Sequence, residues 1–178
     1  PKLGIAGYEN ALTNPASGKT TVVMLNEDNA AINSQLYMYV GTKQEKGANF
    51  AEKAGLTNGQ LYTAYVKNTR TDNKFRATYK IGEKVDVSFN PLNTDLAYSD
   101  FQAQAQAGGT TFSRIEDGEW DPKNPNVYYF ITTESNKDPL ATAPNPSESS
   151  TARDGGALWR LTYKDVKNPL KGASLEML

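Results

Sequence analysis

Apolar residues recur along the chain with a period of two, in short segments broken by turn residues, which is the pattern of strands rather than helices. The segment 35–40 shows it well, with Leu36, Met38 and Val40 on one side and Tyr37 and Tyr39 on the other. The same reading predicts strands over 20–25, 60–66, 75–81, 85–89, 127–133 and 157–163. One stretch departs from it: 95–107 is rich in Ala, Gln and Leu, follows Thr94 as N-cap and runs into Gly108-Gly109, which predicts one short helical insertion. The span 135–156 carries three prolines and many Ser and Asn without alternation, and reads as a long mobile surface loop. The fold class expected is therefore all-β.

An internal repeat organises these strands. The first copy, near 7–40, runs Gly7-Tyr8-Glu9, Asn14-Pro15, a strand at Val22, the acidic pair Glu27-Asp28 and the strand Leu36-Tyr37-Met38-Tyr39. The second, near 112–163, runs Arg114-Ile115-Glu116, Asp121-Pro122, a strand at Tyr128, Glu134 and the strand Leu158-Trp159-Arg160-Leu161. Glu9 to Asp28 spans 19 positions and Glu116 to Glu134 spans 18, so the copies agree in length as well as order. Repeated antiparallel units of this size suggest the blades of a β-propeller, whose loops at one end converge on a common axis. Equivalent carboxylates from different blades, Glu9, Asp28 and Glu116, are then expected to meet there. A propeller has typically about 4 to 8 blades of four strands. The predicted strands fill about two to three, so the whole of 1–178 reads as an incomplete, partial propeller and as an interior piece of a longer protein. The alternative on pattern alone is a small two-sheet β-sandwich in which two hairpins are similar by accident.

Composition narrows the chemistry. The 178 residues hold 19 basic and 20 acidic side chains, a net charge of -1, so no bulk field draws the chain to nucleic acid or an anionic membrane. No apolar run approaches the roughly 20 residues of a membrane span. Cys and His are both absent, which removes disulfides, thiolate or zinc-histidine centres and Ser-His-Asp triads. Catalysis would rest on carboxylates, Arg, Lys, Tyr or hydroxyls with oxygen-loving metals.

The segment 110–122 concentrates such groups. In a strand Arg114 and Glu116 project to one side, placing a cation that grips phosphate through two prongs beside a carboxylate that holds a metal. The bland reading is a same-face ion pair on a surface strand. Glu9 and Asp28 taken singly are solvated turn carboxylates, and Glu27, Asp117 and Glu134 are weaker candidates on the same ground. Neither an EF-hand at 28–33 nor a P-loop at 55–59 is present, because the required ligand pattern and Gly-Lys-Ser/Thr ending are missing.

Gly7-Tyr8-Glu9-Asn10, Leu25-Asn26-Glu27-Asp28, 35–41, 54–62, Phe112-Ser113-Arg114-Ile115-Glu116-Asp117-Gly118 and Gly156-Ala157-Leu158-Trp159-Arg160-Leu161 together resemble the bacterial PhoX-type alkaline phosphatases, in the family's order and over nearly the whole chain. The resemblance implies a propeller that holds calcium and iron near its axis and hydrolyses phosphate esters in the periplasm or outside the cell. It further implies metal ligation by Glu9, Asp28 and Glu116, with Arg114 and Glu116 as catalytic residues and Arg114 on the phosphate. The remaining blades would come from the rest of the protein or another chain. Two departures stand out: the family's iron-ligating Cys has no counterpart here, and its His-Glu with a preceding hydroxyl residue is replaced by Gly7-Tyr8-Glu9. The alternative function is a non-catalytic, calcium-stabilised propeller of an exported or surface protein. A propeller lactonase or esterase is a third, weaker one.

Overall fold

The computed structural model describes residues 2–29, 34–133 and 156–178. It is all-β, with few helices. The elements in chain order are β1 (Tyr8–Thr13), β2 (Thr20–Glu27), β3 (Ser34–Thr42), α1 (Phe50–Lys53), β4 (Gln60–Val66), α2 (Asp72–Thr78), β5 (Val85–Pro91), α3 (Tyr98–Gly108), β6 (Thr111–Phe112), β7 (Ile115–Trp120), β8 (Val127–Thr132), β9 (Ala157–Tyr163), a 3₁₀ turn at Pro169–Lys171 and β10 (Ala173–Met177). The strands join in the order β1-β2-β3-β4-β5-β10-β9-β8-β7, and β6 adds to β3 off this path. Two four-stranded antiparallel meanders, β1 to β4 and β7 to β10, are thus bridged by β5. The sheet curls until its end strands approach: Trp120 Nε1 on β7 donates to Leu12 O on β1 at 3.0 Å, and Asn10 Nδ2 on β1 donates to Glu116 O on β7 at 3.1 Å. The result is a nearly closed, barrel-like sheet, consistent with a propeller-like arrangement.

Period-two alternation sends successive residues of the central strands into two separate cores. Val22 and Met24 of β2, and Leu36 and Met38 of β3, face the larger core with Phe112, Tyr128, Phe130, Trp159 and Tyr163. Val23, Leu25, Tyr37 and Tyr39 face the other side, where α3 lays Phe101 and Ala105 against them. Phe101 stacks on Tyr37 with ring centroids 5.9 Å apart. Full burial of such a side chain is worth about 1.5–3 kcal/mol, enough to dock a helix whose N-cap, Ala97, supplies no side-chain bond.

The strands expected at 20–25, 35–40, 60–66, 85–89, 127–133 and 157–163 are present, some longer at their ends, and the helix expected at 95–107 is α3. Residues 75–81 are a correction: the chain there ends the helix α2 and passes into a turn. Thr71 Oγ1 caps that helix by accepting Lys74 N at 3.1 Å, and the rings of Phe75 and Tyr79, four apart, pack at a tilt with centroids 4.9 Å apart. Their spacing fits a helical face as well as a strand, and Phe75 has Trp159 to pack against at 5.2 Å. The short helices α1 and α2 were not anticipated, and the strands β6 and β10 lacked a sequence signal. Glu134 and the loop expected at 135–156 lie outside the described residues except for Gly156.

Candidate functional site

At the β1 and β7 edges the two copies of the repeat meet. β1 pairs with β2, and the register slips between Tyr8 and Asn10, so Glu9 is the extra residue of a bulge. β7 pairs with β8, and the register slips between Ile115 and Gly118, so Glu116 and Asp117 stand opposite one partner residue. Each repeat therefore carries its acidic residue at a bulge near the start of an edge strand. Asn10 stitches the two, its amide reaching Glu116 O and, at 3.0 Å, Asp117 Oδ1.

Arg114 does not lie in a strand, as its pairing with Glu116 had implied. It precedes β7 with φ of 58°, in the left-handed region that costs an L-residue roughly 1–2 kcal/mol. Three bonds hold it there. Ser113 N and Ser113 Oγ each donate to the Asp72 carboxylate at 3.0 Å, one to each oxygen, and Thr133 N donates to Arg114 O at 3.0 Å. With Ser113 and Ile115 both fully buried on either side, the Arg114 side chain is turned outward between them.

There the guanidinium meets Asp28, which follows β2 and whose N donates to Gly7 O at 3.1 Å. Arg114 Nε donates to Asp28 Oδ1 at 3.0 Å and Nη2 to Oδ2 at 2.8 Å, the parallel two-pronged contact that a guanidinium makes with a carboxylate. Nη2 also lies 3.0 Å from Glu116 Oε1, and that oxygen accepts Thr133 Oγ1 at 2.7 Å. The side chains of Arg114 and Glu116 are about one-third exposed, at 35% and 32%, so the cluster opens to solvent.

Asp28, Arg114 and Glu116 are thus brought together across 88 positions of sequence, and Glu9 stands in the neighbouring bulge with its side chain exposed. The carboxylates do not gather around one point as metal ligands would. Among the described residues no three Asp or Glu side chains form a group able to hold a metal ion, since Asp28 and Glu116 both turn to Arg114. A divalent cation such as calcium takes about 6 to 8 oxygen ligands. In this arrangement the donor set does not fit one.

Glu27, expected to be a solvated turn carboxylate, is fully buried. Its Oε2 accepts Gln35 N and Tyr37 Oη, both at 3.0 Å, and its Oε1 accepts Gln102 Nε2 at 2.7 Å. Burial raises its carboxyl above the ordinary range, while those three donors pull the other way. Asp72, also raised by burial and opposed by Ser113 and the Arg76 charge, had no sequence signal at all. Its role shows only when 72 and 113 are seen side by side. Thr133 was legible only as a strand terminus.

The model of the alkaline phosphatase PhoX family matches residues 2–176. This chain belongs to that family. Among solved structures it is similar to the Pseudomonas fluorescens PhoX in complex with vanadate, a transition state analogue, with a TM-score of 0.67 and 18% sequence identity. That match covers 99% of this chain and 32% of the other, so the chain spans about one-third of the length of its structural relative. At this identity the likeness establishes the fold. No curated protein matches the chain. Membership of the family agrees with the resemblance carried by the motifs around Glu9, Asp28 and Arg114. Among the described residues no helix is long and apolar enough to cross a membrane.

Proposed function

We propose that the chain supplies the phosphate-gripping part of a phosphomonoesterase active site, working in the periplasm or outside the cell. The observation that carries this is Arg114, held out of the strand in a left-handed turn and already making a two-pronged contact with an oxyanion, Asp28. A guanidinium fork binds the oxygens of a phosphoryl group in the same way as those of a carboxylate. A phosphate ester arriving at the open side of Arg114 would exchange with or share the Asp28 contact. Glu116 would hold the guanidinium in place through Nη2, itself steadied by Thr133. Arg114 would then neutralise charge that grows on the phosphoryl oxygens in the transition state.

Metal dependence is the finer part of this reading, and family membership is what supports it. Calcium, with iron as a second candidate, would polarise phosphoryl oxygens and activate an oxygen nucleophile. Glu9, Asp28 and Glu116 are the ligands the resemblance names, and two of them would have to leave Arg114 to serve. The ester substrate and the remaining propeller blades, supplied by the rest of the protein or another chain, complete the proposal. The alternative, a non-catalytic propeller, is favoured by the same contact read as a permanent ion pair.

The test is hydrolysis of p-nitrophenyl phosphate by the intact protein, with and without added calcium and iron, alongside elemental analysis. Hydrolysis that vanadate inhibits and that Arg114→Ala abolishes is the expected result. An intact, folded protein that neither hydrolyses the ester nor binds vanadate under any metal condition overturns the reading in favour of the ion pair.

A further inference from the structure

We infer that Asp72, acting through Ser113, is the positioning residue that sets Arg114 in its anion-gripping conformation. The inference rests on the function proposed above, and concerns a residue that never touches the substrate.

Asp72 opens α2 and is 1% exposed, on a strand-to-helix connection far in sequence from the site. Taking a carboxylate out of water is expensive unless its oxygens are bonded. Here each oxygen accepts from Ser113, Oδ2 from Ser113 N and Oδ1 from Ser113 Oγ, each at 3.0 Å, while Asn73 N–H and the Arg76 charge also act on the carboxylate. Ser113 is itself fully buried, and the residue after it is Arg114 at φ 58°. Two bonds to one residue fix the direction in which the chain enters the left-handed turn. Without them the chain at Arg114 is free to relax toward the ordinary regions of φ/ψ, which swings the side chain away from Asp28.

The anchor is firm on its other side. Thr71, which precedes Asp72, bridges to Thr111, and Thr111 N donates to Arg70 O at 2.9 Å, so 70–72 and 111–113 run side by side. Arg76, one helical turn after Asp72, donates to Thr132 Oγ1 at 3.3 Å and lies over the Trp159 ring at 5.8 Å. Thr132 is followed by Thr133, whose N and Oγ bond to Arg114 O and Glu116 Oε1. The helix α2 therefore braces the segment that leads into Arg114 and the end of β8 beside Thr133.

The experiment measures vanadate binding and ester hydrolysis in the intact protein for Asp72→Ala, Asp72→Asn and Ser113→Ala, each alone and the first also with Arg114→Ala. Asp72→Asn can keep both bonds, its carbonyl accepting Ser113 N and its amide donating to Ser113 Oγ, so it should stay within about twofold of the parent. Asp72→Ala should weaken vanadate binding about tenfold or more, and Ser113→Ala, which loses one bond of two, by about threefold. In the Arg114→Ala background, read by residual vanadate binding because hydrolysis is abolished there, Asp72→Ala should cause no further loss, because its effect passes through Arg114. Additive losses in that background, or Ser113→Ala and Asp72→Asn that fall equally far below the parent, overturn the inference. Should Asp72→Ala not fold, the contrast between Ser113→Ala and Asp72→Asn carries the same decision. If the parent neither binds vanadate nor hydrolyses the ester, the functional reading fails separately. The positioning is then read from hydrogen exchange of the Arg114 Nε–H by NMR, slow in the parent and faster in Ser113→Ala, and equal rates overturn it.

Discussion

At the scale of single residues the site turns on the difference between a charge and a shape. Arg114→Lys keeps the charge but loses the planar fork that now spans Asp28 Oδ1 and Oδ2. If the phosphate takes that fork, turnover in the intact protein should fall about a hundredfold, equivalent to about 3 kcal/mol of transition-state stabilisation. Steady-state kinetics of ester hydrolysis check it, and a Lys variant as active as the parent would reduce Arg114 to an ion-pair partner. Glu27 poses the opposite case, a charge held where water cannot reach. A carboxyl raised above its ordinary value of 4.5 holds its proton more tightly in the folded chain than in the unfolded one. The stability this gives is fully present below the ordinary value and is lost as the pH rises through the raised folded value. Glu27→Gln removes that loss, and Gln102, whose Oε1 has no partner, can turn its amide to accept the new N–H. Thermal melting of Glu27→Gln from about pH 4.5 to neutrality should therefore show a flatter decline than the parent. Asp72, raised in the same direction, keeps part of the slope. Glu9 and Glu116 stand out in the sequence at matched places of a repeat, and Arg114 as the cation two positions before Glu116; the fold sets Asp28 and Glu116 against Arg114. Asp72 and Ser113 do not stand out, since an ordinary Asp and Ser become a pair only through tertiary contact.

At the scale of elements, alternation was read correctly wherever one residue faces one core and the next faces the other, as along β2 and β3. It misled at 75–81, where Phe75 and Tyr79 fit both a strand and a helix and the Thr71 cap decided the matter. It was silent on the bulges, because an extra residue in a strand leaves no mark in a hydrophobic pattern. The β7 bulge depends on Gly118. A Cβ there would overlap the Tyr128 hydroxyl and crowd Asn26 Nδ2, while that hydroxyl donates to Asn26 Oδ1 at 3.0 Å. Asn26 is fully buried beside Glu27, and Tyr128 is fully buried as well, so neither can move aside cheaply. Gly118→Ala should destabilise the protein by about 1–3 kcal/mol. Denaturant unfolding gives the value. A change within about 0.5 kcal/mol would mean that β7 can shift its register without penalty.

At the scale of the whole molecule the site lies across a seam. The sequence suggests two similar units, but it does not say how the ends of the sheet are joined. β1 and β7 share no ladder; side chains reach backbone between them, with Asn10 donating to Glu116 O and Trp120 to Leu12 O, and beyond their ends Asn14 donates to Pro125 O. Such a join is worth far less than a strand pairing, since each net bond contributes about 0.5–1.5 kcal/mol. Asn10 acts next to Glu9 on one strand and on Glu116 and Asp117 of the other, so it ties the closure of the sheet to the geometry of the site. Asn10→Ala should cost about 1–2 kcal/mol in global stability, yet open β1 locally by more than it unfolds the rest. Native-state hydrogen exchange distinguishes these. The amides of β1 should lose protection well before those of β2 and β3, and vanadate should restore part of it if the anion binds across the seam. Uniform loss of protection over all three strands would show instead that the two halves of the sheet rise and fall together, with Asn10 as one bond among many.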